Sequence, residues 1–525
     1  MGLARTYSAV VVGVRAHIVE VEAHLSAGLP SLTLIGLPDT SLNEARDRVR
    51  AALVNSGLKW PDCRITVGLS PAWLPKRGSG LDVAIALAIL AADGQVPHEI
   101  IARLVSLGEL GLDGRVRPVA GALASALALR RLPGRRADAI VAGLEDGHVL
   151  QAVPEIDVLP VASLRALVAR LRGEQEPDEI DRELMLATAH GASAPGSYSA
   201  PTKDLAEVRG QDEAKFGLEV AAAGRHHIAF LGRAGVGKTL LAERLPSLLP
   251  DLSDEPALEV TAIHQLTGKF ALPTGGGLIR RPPWFAPHHT ASRVAMVGGG
   301  TADRPSIGMV SLAHHGVLFL DEAAEFEPAV TDALREPLES GSVSVARAGF
   351  HLTFPARFQL VVATNPCPCG NALDTHRGAV CRCTPAQRRR YLSRLSGPLL
   401  DRVDLRVVLR RPTLAAMAST QGGESSSTIA KRVENARAVI EAQLAGTGWS
   451  SMIEVPSEEL LKRWPLSVEA RRELDLACRN DSLRGRDRVV RVAWTVAALA
   501  DRRAPAVADI ATAIAMRASE QEWAA

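Results

Sequence analysis

Apolar positions along the chain change period several times, and each change marks an element. Tyr7 to Val21 reads as a strand pair. Ser41–Asn55 moves to helical spacing and is stopped by Gly57, and Ile65–Leu69 returns to a strand. Leu81–Ala92, apolar but for Asp82, predicts a buried helix. Leu104–Leu110 followed by Gly114, Val116 and Pro118 predicts a hairpin turning at Leu112-Asp113-Gly114, with a helix at Gly121–Arg131 after it. These elements make residues 1–172 an α+β domain. Residues 173–204 (GEQEPDEIDRE, then HGASAPGSYSAPTKD) lose the apolar period and read as a linker. Beyond it, Asp212–Ala223 predicts a helix, Ile228–Leu231 a strand, Glu339–Phe354 a hairpin and Phe358–Thr364 another strand. Gly485–Asp501 predicts a helix in a C-terminal helical region, 411–525. Apolar strands alternating with helices across 205–410 predict an α/β core with a parallel sheet.

Composition narrows this modestly. With 525 residues, 47% of them hydrophobic, the chain holds roughly three or four domains. A net charge of +2 gives no overall basic signal, so nucleic-acid contact requires local patches. The longest apolar run, near Val83–Ala92, is too short to span a bilayer, and the first residues lack a signal-peptide core. Both point to a cytoplasmic protein without a membrane partner.

The chemistry concentrates at GRAGVGKT, Gly232-Arg233-Ala234-Gly235-Val236-Gly237-Lys238-Thr239, between the strand Ile228–Leu231 and a helix starting at Leu240. It matches the phosphate-loop pattern at every fixed position and in the required context. Glycines let backbone N–H groups face phosphate oxygens. Lys238 can reach the β- and γ-phosphates, and the Thr239 hydroxyl can hold Mg²⁺. Downstream, GVLFLDEAAEF is an apolar strand ending in Asp321-Glu322. Asp321 is placed to hold Mg²⁺ and Glu322 to polarise the attacking water. The implied cofactors are ATP and Mg²⁺. Of six cysteines, Cys367, Cys369, Cys381 and Cys383 form a C-x-C pair repeated after eleven residues. Four thiolates suit a structural Zn²⁺; disulfides or plain thiols fit the same spacing. His288-His289 lacks a third metal ligand and reads as a structural or pore feature.

Several segments resemble known families. LSPAWLPKRGSGLDVAIALAIL (Leu69–Leu90) and GELGLDGRVRPVAGAL (Gly108–Leu123) resemble the proteolytic domain of Lon-type proteases, a ribosomal S5-like α+β fold. Ser79 stands near that family's nucleophile. Where the family carries its catalytic lysine this chain has Gly121-Ala122-Leu123-Ala124, and no lysine occurs between Lys76 and Lys203. The resemblance implies a retained fold without protease chemistry. The strand order of the core resembles AAA+ ATPases, in which Asn365, at the tip of Phe358–Thr364, would be the sensor 1 residue; a turn-forming Asn before Pro366 is its other reading. SGPLLDRVDL resembles the segment that supplies an arginine finger in the Mg-chelatase and MCM branch, with Arg402 as the finger or as a surface partner of Asp401 or Asp404. Arg491 matches that branch's sensor 2 arginine, with Arg484, Arg486 and Arg488 nearby.

Lys238 and Asp321 are 83 positions apart, long for a plain core. The excess, Leu266–Gly300, reads as an insertion resembling the branch's pore loop. Lys269, Arg280, Arg281, Arg293 and Arg347 are then candidates for a polyanion channel or for solvated surface. Taken together, EVRGQDEAK, GRAGVGKT, APHHTAS, GVLFLDE, NPCPCG, CRCTP and RRYLSRLSGPLLDRVDL resemble the YifB/ComM family of Mg-chelatase-like AAA+ ATPases over nearly the whole chain. Departures are Ala323-Ala324, where Leu-Pro is commoner, and Arg233-Ala234, where Pro-Pro is. The resemblance implies a homohexameric ATPase, with DNA, single-stranded or branched, as partner and helicase-driven branch migration as the activity of ComM members. A chelatase-like or Lon-like motor remodelling a protein partner is the alternative.

Overall fold

The computed structural model describes residues 2–36, 44–76, 78–132, 137–177, 203–267, 277–300, 305–347, 350–373, 380–395, 397–413, 423–479 and 481–517. Most of the expected linker, 173–204, falls outside them. Contacts divide the chain into two compact units. One comprises Met1–Tyr198 with Ser253–Arg280, the other Ser199–Leu252 with Arg281–Ala525.

The first unit is a mixed sheet of seven strands. β1 (Gly2–Val12) and β2 (Arg15–Ser26) form a long antiparallel hairpin. In β2, Val19, Val21, Ala23 and Leu25 are buried while Glu20, Glu22 and His24 take the other face, the period of two that a half-buried strand requires. β3 (Ser31–Ile35) and β4 (Arg64–Ser70) pair in parallel beyond β2. On the other side β1 pairs in parallel with β5 (Leu104–Ser106). The expected arm Leu104–Leu110 is therefore split: β5 joins the main sheet, while β6 (Glu109–Leu110) turns away to pair with β7 (Val116–Arg117). The break falls at Leu107-Gly108, where Gly108 takes φ +158° and a Cβ added to it would meet the Val116 and Val83 side chains. β8 (Ala139–Gly143) and β9 (Asp157–Val161) complete the order β3-β4-β2-β1-β5-β8-β9.

The helix Asp82–Ala92 is buried along almost its whole length, as its apolar run Val83–Ala92 requires, and its buried Asp82 is paired with Arg48 at 2.8 Å. The helix Ala122–Arg130 packs in a cluster that also holds Leu258 and Ala262 of the helix Asp254–Thr267. Polar contacts fix that second helix within this unit. Gln265 Oε1 accepts from the Leu123 amide at 3.1 Å, Gln265 Nε2 donates to Asp146 at 3.1 Å, and Arg130 pairs with Glu255 at 2.6 Å. By sequence this helix lies within 205–410; by contact it belongs to the first unit.

The second unit is built on a five-stranded, all-parallel sheet. Its strands are β10 (Ile228–Gly232), β11 (Trp284–Phe285), β14 (Val317–Leu320), β17 (Gln359–Thr364) and β18 (Leu405–Leu409), in the order β11-β14-β17-β10-β18. β12 (Gly298–Gly300) pairs with β13 (Pro305–Ile307), and β15 (Ser342–Arg347) with β16 (Phe350–Pro355), as separate ladders. The Leu266–Gly300 stretch, expected to be an insertion, thus includes core: Trp284 and Phe285 pair with Val317 and Leu318 as the sheet's edge strand. Three residues between Pro282-Pro283 and Pro287 are too few to carry a period. Helices Asp212–Gly224, Ser426–Leu444, Leu483–Leu499 and Val507–Ala515 share one apolar cluster with β10, β17 and β18. Among the described residues no helix is long and apolar enough to cross a membrane.

Candidate nucleotide site

Parallel strands bring their carboxyl ends to one edge of a sheet, and loops leaving that edge form its crevice. Here β10, β14 and β17 lie side by side, with Leu320 opposite Val362 and Leu231 opposite Thr364. The residues that follow them converge on one cleft of about 400 Å³, lined by Ala234, Gly235, Gly237, Lys238, Thr239, Leu240, Asp321, Glu322 and Asn365. Gly235 and Gly237 take φ +78° and +102°, a region open to glycine, and the helix Lys238–Ala242 begins directly after them. That helix is shorter than its sequence suggests. Pro246 lacks the N–H that the next turn needs, and the chain continues as the 3₁₀ turn Leu245–Leu248.

Lys238 is the electrostatic centre. Its Nζ donates to the carbonyls of Gly232 and Arg233, at 2.7 and 2.9 Å, and to Asn365 Oδ1 at 2.8 Å. Burial lowers its pKa from the ordinary lysine value, opposed by the carboxylates of Asp321 and Glu322. Thr239 Oγ1 donates to Asp321 Oδ2 at 2.7 Å. A hydroxyl and a carboxylate side by side are the hard oxygen donors Mg²⁺ takes alongside phosphate and water, so the donor set fits the ion. Val236 contributes its backbone instead, accepting from Gln211 Nε2 at 3.2 Å. Glu322 adopts a left-handed backbone, φ +48°, uncommon for a non-glycine residue.

One residue at this site was missed as a functional candidate. His289 Nδ1 lies 3.8 Å from Glu322 Oε2, and its ring centroid lies 4.1 Å from that of His288, the two rings tilted by 34°. His289 therefore faces Glu322, one of the cleft's two acidic residues. The APHHTAS motif, placed just after β11, was the available signal.

Neither Arg402, whose expected target is a neighbouring subunit's nucleotide, nor Arg491 lines this cleft. Arg402 is held by Glu339, and not by Asp401 or Asp404. Arg491 Nη2 donates to the Val455 carbonyl at 2.9 Å. Its neighbours are also engaged: Arg484 with Glu339 at 3.6 Å, Arg488 with Asp404 at 3.5 Å, and Arg486 with Asp475. Of the channel candidates, Lys269 lies outside the described residues, Arg280 pairs with Asp254 at 2.8 Å, Arg281 with Asp251 at 3.3 Å, and Arg293 is exposed.

The four cysteines of the paired motif come together directly after Asn365. Their Sγ atoms all lie within 4.8 Å of one another. Separations of 3.4, 3.6 and 3.7 Å are far beyond the ~2.05 Å of a disulfide. A tetrahedron with ~2.3 Å arms has edges of about 3.8 Å, so the arrangement fits a Zn(Cys)₄ site. Amide N–H groups of Asn371 and Arg382 lower the Cys369 thiol to about 6, while burial raises Cys367. Thr384 then caps the helix Pro385–Leu392 in a reciprocal box with Gln387, at 3.2 and 2.8 Å. This helix carries the exposed Arg389 and Arg390 and buries Tyr391.

Three family models match the chain: subunit ChlI of Mg-chelatase over 21–141, magnesium chelatase subunit ChlI over 204–417, and its C-terminal region over 423–517. An uncharacterised Mycobacterium tuberculosis protein is 45% identical over 98% of this chain and 99% of its own. YifB of Escherichia coli is 42% identical over 83% of this chain and 82% of its own. The competence protein ComM of Haemophilus influenzae is 41% identical over 85% and 84%. With the phosphate loop, the strand-tip carboxylates and these lengths of match in hand, the chain belongs to the YifB/ComM family of magnesium-chelatase-like proteins.

Proposed function

We propose that the chain is an ATP-hydrolysing AAA+ ring motor that acts on DNA, a helicase or branch-migration factor of recombination or transformation, working in the cytoplasm as a homohexamer. The convergence of Lys238, Thr239, Asp321, Glu322 and Asn365 on one sheet edge carries the ATPase part. The identity to a competence protein supports the DNA part. In this reading, residues 1–172 are a Lon-like domain without protease activity, 205–410 the motor core and 411–525 its helical lid. Phosphates lie over Gly235–Lys238, with Lys238 turned from its own loop toward the β- and γ-oxygens. Bound at Thr239 and Asp321, Mg²⁺ would offset phosphate charge. Glu322 accepts the proton of the attacking water, and Asn365 orients the terminal phosphate. Arg402 acts across the boundary with a neighbouring subunit, and Arg491 from the lid. The four cysteines Cys367, Cys369, Cys381 and Cys383 would hold structural Zn²⁺.

All three matching family models come from a chelatase subunit, which favours ATP-driven remodelling of a protein partner as the second reading. Steady-state ATPase rates with and without single-stranded, duplex and four-way-junction DNA separate the two. Stimulation by DNA supports the motor on DNA, and a rate indifferent to every DNA sends the search to protein partners. Zinc is tested by metal analysis of the purified chain, with one equivalent expected and loss in Cys367→Ser.

A further inference from the structure

Three segments of the second unit meet at one carboxylate. Glu339 ends the helix Arg335–Ser340, just before Gly341 turns the chain into β15. Its Oε1 accepts from Nη2 of Arg402 and lies 3.6 Å from Nη1 of Arg484, in the first turn of helix Leu483–Leu499. The helix end moves with the β15–β16 hairpin, because Ser344's amide donates to Glu336 at 3.1 Å and Ser340 Oγ donates to the Ser342 carbonyl at 2.9 Å. A single exposed carboxylate thus ties the hairpin base to the Arg402 turn and to the C-terminal helix.

The turn and the side chain are held differently. Asp404, two residues beyond Arg402, is buried. It accepts from the His227 amide at 3.1 Å and lies 3.5 Å from both Arg488 Nε and His226 Nδ1. That anchor fixes the backbone. The Arg402 head rests on Glu339, whose side chain is 50% exposed. Arg402 Nη1 also donates to the Pro398 carbonyl in the same turn, so moving the guanidinium takes side-chain rotation, the loss of that hydrogen bond and the loss of one half-exposed ion pair, a weak interaction. A polyphosphate offers the same guanidinium fork a bidentate partner of higher charge.

We propose that Glu339 is a positioning residue for hydrolysis: it keeps Arg402 on its own subunit until a neighbour's nucleotide competes for it, and so links release of Arg402 to the β15–β16 hairpin. The inference rests on the reading of Arg402 as the group supplied across the subunit boundary. The test uses the full chain with Glu339→Gln, Glu339→Asp and Arg402→Ala, measuring kcat, KM and melting temperature with and without a single-stranded oligonucleotide. Glu339→Gln should raise the DNA-free kcat by roughly 2- to 5-fold, the scale of an exposed ion pair, and shrink the stimulation by DNA, with an unchanged melting temperature. Glu339→Asp, which keeps the charge, should stay near wild type, and Arg402→Ala should lose about 10³-fold. Wild-type kinetics in Glu339→Gln beside an inactive Arg402→Ala would overturn this inference alone. An active Arg402→Ala would overturn it together with the reading beneath it. Equal losses of melting temperature and rate in Glu339→Gln and Arg402→Ala would reduce the contact to a structural ion pair and overturn it as well.

Discussion

Two places in this chain set a hydroxyl beside charged groups, and they differ in what surrounds the hydroxyl. In the nucleotide cleft, Thr239 donates to Asp321, and Lys238 and Glu322 line the same cavity. In the first unit, Ser79 Oγ donates to Glu109, whose other oxygen lies 3.4 Å from Arg117. The nearest lysine in sequence, Lys76, is buried and spends its ammonium on the Pro71 carbonyl. The helix Ala122–Arg130 that follows the β6–β7 hairpin contains no lysine. A serine bonded to a carboxylate that is itself paired to arginine faces a weak base. The lesson is that a motif acquires chemistry from the groups that converge on it.

The comparison is broken most decisively at Glu322. Glu322→Gln should lower kcat by about 10²–10⁴ while nucleotide stays bound, the cost of losing a general base; an unaltered rate would remove the cleft's claim to be catalytic. Lys238→Ala should cost about 10²–10³ in rate and weaken nucleotide binding, which fluorescence titration with a labelled ATP analogue measures directly. His289→Ala sharpens the picture within the cleft. Its partly exposed contact with Glu322 predicts a fall of roughly 2- to 5-fold in kcat with little change in KM. Smallest of all, Ser79→Ala should leave the ATPase rate unaltered and shift stability by no more than about 1 kcal/mol, and neither it nor the wild type should cleave a peptide substrate. Peptide hydrolysis abolished by Ser79→Ala would put the two regions on the same footing.

The cleft was readable from sequence because its groups sit at fixed offsets from strand ends. Gly232 to Thr239 follows β10, Asp321-Glu322 follows β14 and Asn365 follows β17, so parallel pairing brings them together. The long strands and helices of the first unit were readable for the same kind of reason, as period. Pairings between distant segments were not. Nothing local ties Glu339 to Arg402, while Asp401 and Asp404 are near in sequence and make the obvious partners. His289 beside Glu322 is likewise a contact across a sheet, and β11 is too short to show a period. The helix Asp254–Thr267 shows an apolar face without showing what it packs against.

That last helix governs how the protein can be cut. A fragment starting at residue 204 would keep every group of the nucleotide cleft but would strip Leu258 and Ala262 of the Leu123, Leu127 and Ala126 side chains in their cluster. Gln265 would lose both its hydrogen-bond partners at the same stroke. Such an isolated motor would carry a sticky apolar ridge and tend to aggregate. The first unit, truncated after residue 198, would have the matching bare groove. The chain leaves one unit, crosses into the other and returns, so this protein is stitched rather than strung, and its halves are better studied by point substitution than by excision.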